Sequence, residues 1–132
     1  MTNMMTQNEK FMFAAQDGDV AAIKQLLAAG VDVNAKLDNN GCTALMWAAG
    51  YGRLDAIAAL LNAGANVNVR ADDGWTALMC AAHQGWTDGV KMLLDAGADV
   101  NVKSREGWTA SMYAYSYPDT YKMLFRHHSV KL

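Results

Sequence analysis

The sequence predicts an all-α solenoid of four helix–turn–helix units joined by β-turn loops, the outer two acting as caps. Three observations carry that reading. Gly41, Gly74 and Gly107 stand at a step of 33, and so do Thr43, Thr76 and Thr109, and Met46, Met79 and Met112. A fixed period of this size is the signature of stacked repeats. Within each period the apolar residues recur at helical spacing, and a glycine closes each helical stretch.

The 132 residues fit one domain, with units at about 9–40, 41–73, 74–106 and 107–127 and tails at 1–8 and 128–132. The first unit matches from Phe11 at a step of 34, the extra residue lying between Asn34 and Thr43. Glu9 stands where the later units carry Thr, and Gln7, Asn8, Lys10, Lys24 and Gln25 give this end the polar face a terminal repeat needs. In the second unit Thr43 is placed to cap a short helix, roughly ALMWAAGY, that ends at Gly52. A second helix, roughly LDAIAALLNA, follows, with Ile57, Leu60 and Leu61 on one face and Gly64 just past its end. The third unit repeats this plan with Thr76, Gly85 and Gly97. The fourth starts alike at Gly107 and then departs. Pro118 takes the inter-helix glycine position, and Tyr121, Met123, Leu124 and Phe125 form a second helix once two residues are deleted. Neither helix of a unit buries its face alone, so the units must stack into one core.

The period of 33, the T-x-L-x-x-A-A run and the closing segments GVDVN, GANVN and GADVN resemble the ankyrin repeat, from Phe11 to about Phe125. The resemblance is to small stand-alone arrays of bacterial type. Where that family usually has T-P-L-H, this chain has T-A-L-M. Ala44, Ala77 and Ala110 replace the helix-opening proline, which accounts for the single Pro in the composition. Met46, Met79 and Met112 replace a histidine that bonds neighbouring turns in the family, which leaves more of the cohesion to apolar packing.

The resemblance implies a binding surface on the turn tips and the exposed side of the first helices. Carried over by position, the expected partner contacts are Asp72, Asp73, Trp75, Arg105 and Trp108 on the turns, and Tyr51, His83 and Tyr117 on the helices. Trp47 and Tyr113 lie one helical turn earlier, beside that face, with packing between repeats as their second reading. For Trp75 and Trp108 the second reading is stacking between adjacent turns, and Trp86 is read as structural. Trp and Tyr are enriched in interface hot spots, and the mixed charges around them suit a polar rim. The expected function is binding of another protein, as an inhibitor, immunity partner or adaptor. Two alternatives stay open: a small-ligand or nucleotide-binding regulator that holds a planar ring between Trp75 and Trp108, and a structural part of a larger assembly.

Other chemistries find little support. A net charge of −2 argues against a phosphate-backbone binder, so no nucleic acid is expected. No stretch reaches the ~20 apolar residues of a membrane span, and the start lacks the basic and apolar regions of a secretory leader. Cys80 and His83 share a helix face, but they read as a small apolar Cys beside an exposed His rather than as a nucleophile and base or two metal ligands. Glu9 and Glu106 are too far apart in the stack to act together, and His127 and His128 fall in the tail. Cys42 and Cys80 sit in different units, so reduced thiols and a cytoplasmic setting are expected. No enzyme, cofactor or metal is expected, and the protein is read as a complete, monomeric small domain.

Overall fold

The computed structural model describes residues 4–130, with side chains through His127. Residues 1–3, 131 and 132 of the expected tails, and the side chain of His128, lie outside the described residues. The helices are α1 (Gln7–Asp17), α2 (Val20–Ala28), α3 (Ala44–Gly50), α4 (Leu54–Asn62), α5 (Ala77–His83), α6 (Thr87–Asp95), α7 (Ala110–Tyr113) and α8 (Pro118–Val130). Among the described residues there is no strand. The odd-numbered helices stack on one another as one layer and the even-numbered helices as the second, with the core between them.

Threonine and glycine fix the short first helices. The Oγ1 atoms of Thr43 and Thr76 accept the N–H groups of Met46 (3.4 Å) and Met79 (3.3 Å), satisfying donors that the first turn leaves orphaned. At the other end Gly52 and Gly85 take φ of 68° and 72°. The following amides, of Arg53 and Trp86, reach back to the carbonyls of Ala48 (2.9 Å) and Ala81 (3.0 Å). Ala44, Ala48, Ala49, Ala77, Ala81 and Ala82 are buried, and their small side chains let α3 and α5 approach closely. Ile23, Ile57, Leu60, Val90, Leu93 and Leu124 fill the space between the layers.

The two ends depart from the repeat arithmetic. The first helix begins at Gln7, and its cap is Thr6 rather than Glu9. Thr6 Oγ1 accepts the Glu9 N–H at 3.0 Å, and the Glu9 carboxylate accepts the Thr6 N–H at 2.8 Å. Glu9 is thus the third residue of a capping box. In the last unit Thr109 makes no cap bond, its hydroxyl lying 3.1 Å from Ser111 Oγ, and α7 is only four residues long. Pro118 is the first residue of α8, not the inter-helix glycine equivalent. Its fixed φ and missing N–H suit that position. Helix α8 also carries the backbone through His127 and His128 to Val130, so these histidines stand on a helix rather than in a tail.

Polar cohesion between units is greater than the Met-for-His exchange predicts. The Asn34 side-chain oxygen accepts the Asn66 N–H at 2.7 Å, and Asn68 repeats this toward Asp99 at 2.9 Å. At the tips Asp72 N–H donates to the Asn40 carbonyl and Arg105 N–H to the Asp73 carbonyl, each at 2.9 Å. The closing Asn and the turn backbone thus bond neighbouring turns, alongside apolar packing.

Candidate functional site

The turn tips and the exposed ends of α3 and α5 enclose a groove of about 590 Å³ between the second and third units. Its origin lies in one register position. Trp47, Cys80 and Tyr113 are equivalent residues, and the small one falls in the middle. Where Cys80 stands, a large ring is missing, and the groove opens there. Trp47 and Tyr51 line it as one stacked pair, with centroids 5.9 Å apart and planes at 17°. Trp75 and His83 also line it, edge to face at 5.4 Å. Trp86 completes it, with its Nε1–H donated to the Gly50 carbonyl at 2.9 Å.

Asp38 anchors the Trp47 side of the groove. One carboxylate oxygen accepts the Asn40 and Cys42 N–H groups at 2.9 and 3.0 Å, and the other accepts Trp47 Nε1–H at 3.1 Å. The last unit has the same arrangement, since Ser104 Oγ accepts the Trp108 N–H and lies 2.8 Å from the Tyr113 hydroxyl. Between them, at the same register, stand Ala71 and Cys80, which have no such polar pair. A polar residue nine positions before an aromatic with a donor is the sequence signal that could have placed Asp38 in the site.

The ten expected contacts separate into groups. Tyr51 and Trp108 are exposed, at 46% and 43%, and Trp47 and Trp75 are half-buried, each packing on the core and facing solvent in part. His83 is exposed at the groove. Tyr113 follows the second of its two readings, packing between repeats: it is 7% exposed, its ring sitting between Trp75 (4.3 Å) and Trp108 (5.2 Å). That ring also occupies the space in which a nucleotide base was expected to stack. Tyr117 is exposed as expected, but its register position is corrected. The shortened last unit makes it equivalent to Trp86 and Arg53 rather than to Tyr51, and its ring lies over Gly85. Asp73 and Arg105 are exposed but serve the turns: Asp73 accepts the Trp75 N–H at 3.0 Å, and Arg105 donates to the Asp72 carbonyl at 2.7 Å. Asp72 is exposed beside them.

The two thiols are chemically quiet. Burial pushes Cys80 up to about 12, and burial with the neighbouring Asp38 carboxylate pushes Cys42 up to about 11. Both are therefore protonated at neutral pH, which suits a groove lining rather than a nucleophile. At pH 8 iodoacetamide is expected to label them at least about tenfold more slowly in the folded chain than in urea, because only the thiolate reacts. The folded values lie above the ordinary 9.0, so this contribution to stability is intact below pH 9 and is lost as the pH climbs toward 11 and 12. Equal labelling rates in the two states would contradict the burial of the thiols. No three His, Cys, Asp or Glu side chains converge as a metal set among the described residues. None of the described helices is long and apolar enough to cross a membrane.

A family model described as ankyrin repeats (3 copies) matches residues 6–71 and 63–132. No curated protein matches the chain.

Proposed function

The chain belongs to the ankyrin-repeat family, whose members are generally protein–protein interaction modules, and we propose that it binds a partner protein through the face built on α3, α5 and the turn tips. The observation that carries this reading is the aromatic surface itself. Tyr51 and Trp86 are exposed at the open groove, Trp108 is exposed on the last turn tip, and large exposed aromatic areas on a small domain mark interaction sites. A preorganised stack loses little entropy on docking, so affinity can come from a few anchors. The protein acts by occupancy, as an inhibitor, immunity partner or adaptor. A cytoplasmic monomer with both thiols reduced fits this reading.

The test is capture from native lysate by wild type and by a Tyr51→Ala/Trp108→Ala variant. Both side chains are exposed, so the far-UV circular dichroism of the variant is expected to match wild type. Each truncation should cost about 2 kcal/mol, or roughly 30-fold in affinity, enough to remove the partner from the eluate. Undiminished capture by the variant would place the interface elsewhere.

A further inference from the structure

We propose that the groove between the second and third units takes a basic side chain, arginine or lysine, presented by the partner protein. This rests on the docking reading above and names the chemistry of its central contact. The groove is lined by the rings of Trp47, Tyr51, Trp75 and Trp86 with the Asp38 carboxylate, and no Lys or Arg lines it. Aromatic faces attract a cation through the ring quadrupole, and a nearby carboxylate adds charge attraction. Three N–H donors and the Cys42 thiol already contact the Asp38 carboxylate, which has about four acceptor sites, so it acts on an occupant through charge rather than through a free acceptor site. Trp47 has spent its only donor on Asp38, so what it offers an occupant is its ring.

The chain's own nearby cations are committed elsewhere. Arg70 donates to the Lys103 carbonyl at 2.6 Å, Arg105 to that of Asp72 at 2.7 Å, and Lys36 to that of Arg70 at 3.4 Å. Each ties one turn to its neighbour instead of filling the groove. Asp72 and Asp73 lie close enough to raise the Cys42 thiol, so they add to the Asp38 charge on the Cys42 side of the groove. An anionic occupant would be repelled, and a neutral apolar one would leave this charge unused. A cationic head on an apolar stem satisfies both the rings and the carboxylates.

Blocked pentapeptides Gly-Gly-Xaa-Gly-Gly, with Xaa as arginine, lysine, citrulline or norleucine, test this by NMR on the full chain. The indole N–H signals of Trp47, Trp75 and Trp86 report occupancy. The arginine and lysine peptides are expected to shift them saturably in the millimolar range, with citrulline and norleucine at least about fivefold weaker. Asp38→Asn should weaken the arginine peptide by about fivefold or more. Because that change also touches the Trp47 bond, Tyr51→Leu and Tyr51→Phe provide a second arm, where Leu loses binding and Phe keeps it. If citrulline or norleucine matches arginine, the cation assignment is overturned while the face remains a protein-binding surface. If all four peptides are silent, the groove is no side-chain site, and lysate capture by the Tyr51/Trp108 variant still judges the docking reading separately.

Discussion

Replacing Gly85 by alanine is expected to lower the melting temperature by roughly 10 °C. Two costs add. At a φ of 72° an alanine loses about 1–2 kcal/mol, because its Cβ crowds its own backbone. The new carbon would also lie 2.6 Å from Cγ of Tyr117, well inside van der Waals contact. Because that Cγ is bonded directly to Cβ of Tyr117, relief needs a change of χ1 or a backbone shift. The backbone is held by the Tyr117 carbonyl, which accepts the Tyr121 N–H at 2.9 Å and opens α8. Overpacking of this kind adds about 1–3 kcal/mol. Gly97→Ala is the control: its φ is 94°, but nothing lies within 4 Å, so only the conformational cost applies. Thermal melts of the two variants separate the terms, and Gly85→Ala/Tyr117→Ala should recover the difference. Equal melting temperatures for Gly85→Ala and Gly97→Ala would show that Tyr117 does not clamp the third unit.

The clamp also shows where the sequence was legible and where it was not. Thr43, Thr76, Gly52 and Gly85 were assigned from spacing alone, because capping and left-handed turns are local and depend on residues within one unit. Tyr117 was assigned one role and has another, because its register depends on where the last unit loses two residues. Arg53, Trp86 and Tyr117 share that position, each lying over the glycine of the preceding unit, a cation in one case and an aromatic ring in the other two. No residue type identifies the position; only the stacked structure does. Trp75 and Trp108 were legible only in part. Their place on the tips was readable, but the ring between them comes from Tyr113, on a helix of the next unit for one and of the same unit for the other. The Asn34 and Asn68 bonds were hidden for a related reason, as the closing run was read only as a repeat motif, whereas its Asn side chains bond the next unit.

A Leu78→Ala variant is expected to lose about 2–5 kcal/mol and to unfold in one transition at a lower denaturant midpoint with an unchanged slope. Leu78 is 1% exposed on α5, and α5 packs on α3, α6 and α7, so the cavity weakens the contacts of the third unit with both neighbours. Leu124→Ala removes an equally buried side chain, but from α8, which packs on α6 and α7 only. In a stack held by nearest-neighbour contacts, an end unit can come loose while the rest persists. Its unfolding should therefore begin with an early partial loss of helical signal, leaving a main transition near that of wild type. The contrast reaches the site. The groove is lined from α3 and α5 and not from α8, so Leu124→Ala should keep the groove's indole signals and peptide shifts under conditions where Leu78→Ala loses both. A single shared transition for Leu124→Ala would mean that the last unit is as tightly coupled as the middle ones. The shortness of α7 and the missing Thr109 cap argue that it is not.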